Sequence, residues 1–143
     1  MRIRPMTAAD APLVAALTTQ LGYPTSVEET TERFAALDER PAEHAALVAD
    51  EDGRAIGWIH VALVTSLESG LKANLGGLVV DEGHRSSGLG AELLAAAEAW
   101  AREHGAKVML VRSRVAREGA HRFYEREGYG LVKTSHVFEK QLV

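Results

Sequence analysis

Arg85-x-x-Gly88-x-Gly90 is the stretch of this chain whose residue types and spacing could do chemistry most directly. It follows an apolar run that ends at Val80, and it opens an alanine- and leucine-rich segment with helical periodicity. Glycines at a strand-to-helix turn leave backbone N–H groups bare at the positive end of the helix, an arrangement that holds a phosphate or pyrophosphate. A lone glycine pair would more simply relax a turn. The preceding strand, Arg85 and a second motif near residue 124 favour the anion site instead. In that second motif Phe123 and Tyr124 are adjacent, so on a helix they point about 100° apart. Phe123 reads as core. Tyr124 reads as a site residue, its phenol able to give a proton to a departing group.

The elements that must position these residues follow from turn and capping signals. Ile3 to Met6 fits a short strand, and Asp10 is expected to cap a helix with Pro12 in its first turn and Leu13, Leu17 and Leu21 at helical spacing. Ser26-x-x-Glu29 is a capping box for a second helix. Ala45 to Ala49 and Ala55 to Val64 read as strands joined at Glu51-Asp52-Gly53, a hairpin signal. Along the second of these, Ile56, Trp58, His60, Ala62 and Val64 should share one face. A fourth strand spans about Leu71 to Val80, and the helix from about Leu89 to His104 ends at Gly105. Val108 to Val111 is a fifth strand, Arg117 to Glu127 a fourth helix, and Leu131 to Leu142 is expected to add one or two closing strands. The order hairpin, strand, helix, strand, helix, strand implies an α/β (α+β) fold, one domain over 1–143, with a mixed sheet and helices packed on it.

Composition narrows the function classes. The chain has 143 residues, 46% of them apolar and 25% charged, and no cysteine. That excludes a disulfide framework, a thiolate metal site and a cysteine nucleophile. No histidine pattern has metal-ligand spacing, so no metal is expected. The start of the chain lacks an apolar signal region and no run approaches membrane-spanning length, so a cytoplasmic protein without membrane partners is expected. Residues 1–84 hold 6 Lys/Arg against 13 Asp/Glu, whereas 85–143 hold 10 against 7. An acidic half and a basic half suit a cationic substrate on one side and a polyphosphate on the other. No basic stripe with interleaved aromatics points to nucleic acid. A dinucleotide fold would need Gly-x-Gly-x-x-Gly early in the chain, and an ATP loop would need Gly-Lys-Ser/Thr. Neither is present.

Leu78-Val79-Val80 through Arg85-Ser86-Ser87-Gly88-Leu89-Gly90 resembles the acetyl-CoA pyrophosphate loop of the GNAT N-acetyltransferase superfamily, Arg/Gln-x-x-Gly-x-Gly/Ala. Ala120-His121-Arg122-Phe123-Tyr124-Glu125-Arg126-Glu127-Gly128-Tyr129 resembles the second signature of that superfamily, an aromatic-Tyr pair before a helix-ending glycine. Arg117 stands where many members carry an asparagine. The closest likeness is to small-molecule amine acetyltransferases of the aminoalkylphosphonate and aminoglycoside 6′ types. The resemblance implies a mostly antiparallel sheet of six to seven strands with four helices and a splayed parallel pair of strands four and five. It further implies acetyl-CoA as cosubstrate, held by Leu78, Val79, Val80 and Arg85 to Gly90, and transfer to a primary amine of a small molecule, with Tyr124 as general acid. Gly76-Gly77 would be a bulge that exposes main-chain groups to the thioester. Homodimers are common among such proteins. A protein N-terminus or lysine is the alternative acceptor, and a non-catalytic acyl-CoA sensor is the alternative outside catalysis. The general base is left open among His60, Glu68, Asp81, His121 and a water. His60 reads first as a hydrogen-bonded core histidine, and His84 as a support for the phosphate loop.

Overall fold

The computed structural model describes residues 1–143, which divide into two units, Met1–Val111 and Arg112–Val143. In the first unit β1 (Arg2–Pro5), β2 (His44–Glu51), β3 (Arg54–Ser66), β4 (Gly70–Val80) and β5 (Met109–Leu110) form one sheet in that order. The first three pairings are antiparallel and β4–β5 is parallel. The tight turn between β2 and β3 places Asp52 and Gly53 at φ values of 53° and 84°. Two consecutive left-handed residues match the twist of a hairpin, as Asp-Gly predicts.

Helices cover both faces of this sheet. From α1 (Ala11–Leu21) and α2 (Val27–Asp38), Leu13, Val14 and Phe34 pack with Met6, Val48, Ala55 and Trp58. On the opposite face lies α3 (Leu89–Glu103), whose Leu89, Leu93 and Leu94 are fully buried with Ile59 and Val61. Leu93 sits against Gly57, where a Cβ would come within 3.2 Å of its methyl group. No helix is long and apolar enough to cross a membrane.

Three expectations need correction. Asp10 makes no side-chain cap for α1. Its carboxylate instead accepts both Arg4 terminal nitrogens at 2.8 Å and the Thr7 backbone N–H. An arginine fork offers two charge-assisted bonds where a helix end offers weaker ones. Second, the β2–β3 register shifts at Ala49/Asp50, so that Asp50 pairs with Ala55 and Ala49 with Gly57. Ile56 is the extra residue of a bulge, and Ala55 takes the place expected for it beside Trp58. Third, the sheet has five strands, not six or seven. Residues 131–142 form no closing strand, and Leu131, Val132, Val137, Phe138 and Leu142 are all at least 80% exposed. Alternation shows that a segment can be a strand, but membership of a sheet needs a partner edge. In the second unit the regular element is α4 (Glu118–Arg126).

Arg4 joins β1 to Asp10 before α1 and, at 2.7 Å, to Asp50 at the end of β2. Its guanidinium holds both carboxyls below their usual range. Groups whose folded pKa is depressed stabilise fully above their unfolded value, about 4, and lose that contribution as pH falls through the folded one. Arg4→Met should therefore lower the urea midpoint at pH 7, and the deficit should shrink between pH 4 and pH 3, as measured by denaturation across that range.

Candidate active site

The site is built around an irregularity in β4. Opposite His60 the register shifts: His60 pairs with Gly77 and Val61 with Leu75, which leaves Gly76 as the extra residue. A bulge turns both of its residues towards one face. A Cβ on Gly76 would collide with the His60 ring, and one on Gly77 would lie 2.6 Å from the Trp58 ring. Glycine is required at both positions because two aromatic rings occupy the space a side chain would take. The Gly76-Gly77 bulge expected from sequence is thus present.

Beyond the bulge β4 runs free on one side. Its ladder to β5 consists of Ala73–Met109 and Asn74–Leu110 and stops there. From Leu75 to Val80 the outer edge of β4 has no strand partner. The chain then turns through Glu82–His84 into α3. Gly88 is the N-cap at φ 84°, with no side-chain cap. By contrast Ser26 caps α2 with a full capping box to Glu29. The bare first turn of α3 keeps its N–H donors for an outside acceptor. Arg85, Ser86, Ser87 and Gly88 are exposed around it. Arg85 donates Nε–H to the Val80 carbonyl at 3.3 Å, and Ser87 donates its hydroxyl to the His84 carbonyl.

Gln20, Asp81, His84 and Glu51 brace the loop. Asp81 accepts Gln20 Nε2–H and Gly83 N–H, and contacts His84 Nδ1 at 3.2 Å. His84 also reaches Glu51. Asp81 and then Glu51 raise the His84 pKa. These contacts assign His84 the supporting part expected of it. They also engage Asp81, and the bonds from Gln20 and then His84 hold its carboxyl below the usual range.

The remaining base candidates separate by position. Glu68 is exposed in the β3–β4 turn. His121 Nε2 is bonded to the Arg114 carbonyl at 2.7 Å within the second unit. His60 lies over Gly76, and its Nε2 shares a hydrogen bond of 3.1 Å with His44 Nδ1, the rings stacked at 5.3 Å. Burial, then the neighbouring His44, pushes the His60 pKa below the ordinary imidazole range. Nothing in the sequence marks the pairing of His44 with His60, because diagonal contacts across a hairpin depend on register. On the same face Asn74 stands opposite Ala62, which in turn stands opposite His44. Asn74 Oδ1 and Trp58 Nε1 are both buried without a partner, and such atoms are costly unless something satisfies them.

In the second unit Tyr124 is half-buried on α4, with Phe123 and Tyr129 rings edge-on at 5.1 and 5.9 Å. Burial raises its pKa, against a smaller opposing effect of Arg117. Phe123 is also only half-buried and touches Tyr124. The two rings diverge as the helix requires, yet they stay in contact.

A mixed sheet with a bulged, half-free fourth strand leading into an uncapped helix defines an acyl-transfer scaffold. The sequence model of the acetyltransferase (GNAT) family matches residues 13–129, and the chain belongs to that family of N-acetyltransferases. Aminoglycoside 6′-N-acetyltransferase AAC(6')-IG from Acinetobacter haemolyticus superposes with a TM-score of 0.86 at 20% identity, covering 100% of both chains. AAC(6')-Iy in complex with a bisubstrate analogue, CoA-S-monomethyl-acetylneamine, gives a TM-score of 0.85 at 19% identity over 98% of this chain and 97% of its own. Glucosamine-6-phosphate N-acetyltransferase from Arabidopsis thaliana gives 0.80 at 21%, over 99% and 98%. No curated protein sequence matches the chain.

Gly76→Ala should drive His60 off its seat and break the contact with His44, at a cost of about 1–3 kcal/mol as for other overpacked sites. Nitrogen-detected NMR of the two imidazoles, with thermal melts, checks both effects.

Proposed function

We propose that this protein transfers an acetyl group from acetyl-CoA to a primary amine of a small molecule, by direct attack of the amine nitrogen on the thioester carbonyl. The observation that carries this reading is the continuous stretch from Gly76 to Gly90. It joins a bulge, a free strand edge and an uncapped helix N-terminus over fifteen residues. Leu78, Val79 and Val80 would bind the pantetheine arm through their backbone and polarise the carbonyl. Arg85, Ser86, Ser87, Gly88, Leu89 and Gly90 would hold the pyrophosphate. The fit is specific at Gly90, whose backbone is helical, so local conformation does not call for glycine there. A helical glycine costs about 1 kcal/mol relative to alanine, and close approach of a ligand to the backbone accounts for it.

Acetyl-CoA supplies the activated acyl group. The new C–N bond replaces the C–S bond, the amine gives up a proton, and the departing thiolate takes one. Tyr124 is assigned that last proton. Its raised pKa keeps the phenol protonated across the physiological range. Small-molecule acceptors are supported by the named substrates of the aminoglycoside and glucosamine-6-phosphate enzymes that share the fold. Both units are read as one catalytic domain, because the family match runs through both. We also read the protein as a metal-independent, cytoplasmic homodimer that acts on neither nucleic acid nor membrane. Exposed Val132, Phe138 and Leu142 would form surface for a second copy, and light scattering gives the oligomeric state.

Gly90→Val should leave folding intact and weaken acetyl-CoA binding in calorimetry; unchanged affinity would remove the pyrophosphate assignment. Tyr124→Phe should lower kcat by ~10²–10⁴-fold with little change in the KM for acetyl-CoA. Free-thiol release against amino sugars, polyamines and peptides tests the acceptor. Release with peptides alone would favour a protein acetyltransferase, and binding without release would favour a sensor.

A further inference from the structure

We propose that His60 and His44 form a two-ring relay that takes the proton from the attacking amine, with the proton entering at His60 Nδ1. The inference rests on the acetyl-transfer reading above and assigns the base which that reading lacks. His60 has one nitrogen engaged with His44 and the other, Nδ1, seated over Gly76 without a partner. That is the residue at which β4 bulges and its outer edge is free. His44 likewise has Nδ1 engaged and Nε2 unpartnered. The two rings therefore form a chain with one open nitrogen at each end, which a purely structural histidine pair would not need.

The proton balance closes. In the resting pair the His60 Nε2–H donates to His44 Nδ1, and His44 carries its own proton on Nε2. The lone pair of His60 Nδ1 accepts a proton from the bound ammonium. The Nε2 proton then passes to His44 Nδ1, and His44 releases its Nε2 proton to water. The amine is left neutral, and exchange with solvent between turnovers restores the first tautomers. An alkylammonium ordinarily has a pKa of about 10, well above imidazole. The burial that depresses His60 would depress an ammonium brought beside it, since desolvation disfavours both cations. Asn74 Oδ1, a buried acceptor without a partner on the same face, suits a second N–H of that ammonium.

No other titratable group competes on this face. His44 is the one from β2, and it is the charge that acts on His60. On β4 the next titratable group is Lys72, opposite Val64 and two pairs beyond Ala62. The α1 helix carries no titratable residue, and every Asp, Glu and Arg of α2 is exposed. Asp50, at the far end of β2, is engaged by Arg4.

The test combines pH–rate profiles with NMR on the intact protein. With His60 neutral and the amine arriving as ammonium, kcat/KM should rise through a pKa below about 6.5 and then hold a plateau towards pH 9. His60→Gln should lower kcat/KM at pH 7 by ~10²-fold or more. Its profile should rise with unit slope from pH 6 to 9, because it must wait for free amine, so the deficit narrows with pH. His44→Gln should keep the plateau with a smaller loss. In the unaltered protein, imidazole nitrogen shifts should show His60 as the Nε2–H tautomer at pH 7. Its titration should lie below 6.5 and move upward in His44→Gln. A plateau retained in His60→Gln would overturn the relay, as would a His60 protonated at pH 7 or carrying its proton on Nδ1. Thiol release with such a profile removes the relay alone; no thiol release by the unaltered protein with any amine removes the acetyl-transfer reading as well.

Discussion

One extra residue in β4 governs the geometry of this protein. If Gly76 were absorbed into the ladder, the pairing on one side of it would slip by one residue and turn those side chains to the other face. A strand interior loses stability with each glycine, since glycine forfeits entropy and contributes no packing. Two in succession persist here because the rings above them provide the packing that the glycines do not. The bulge also bends β4 as a bulged strand must bend, and the ladder to β5 ends two residues before it, at Asn74. A fully paired strand would have no backbone group left to offer.

The contrast between α2 and α3 has the same character. Ser26 and Glu29 satisfy the first donors of α2 internally, and its apolar face supplies Phe34 to the core. The first turn of α3 has no such help, and Gly88 supplies no oxygen. A glycine at the N-cap costs a few tenths of a kcal/mol relative to a capping side chain, which burial of Leu89, Leu93 and Leu94 on the same helix readily offsets. Stability therefore resides in the apolar stripe of α3, and its open end is held by the braces from Gln20, Asp81, His84 and Glu51.

Features set by local chemistry were legible in the sequence. The Asp52-Gly53 turn, the Ser26–Glu29 box and the bulge at Gly76-Gly77 each follow from residue types within a few positions. Features set by register were not. The bulge at Ile56 moves Ala55 to the face expected for Ile56, and nothing in the apolar spacing of β3 marks it. The contact of His44 with His60 is not legible, because sixteen residues separate them and a hairpin offset by one pair would keep them apart. Asp10 shows the same limit: a carboxylate one residue before a helix has the look of a cap, while its arginine partner lies on a strand. The closing strands failed on partnership, since propensity in residues 131–142 cannot supply the edge they would pair with.

The choice of imidazole at the bulge follows from the face it occupies. An isolated carboxylate in the place of His60 would be driven towards its neutral form by the same burial. Once neutral it would have no lone pair worth offering to an ammonium. An imidazole responds to the same burial in the opposite sense. Desolvation pushes the His60 pKa down, which leaves the ring uncharged with a free lone pair at neutral pH. Burial thus disables one kind of base and readies the other. A second ring against the first adds to this, because a cation on His44 would repel one on His60 and so disfavours a second proton there. A transferred proton must then move on before the next arrives.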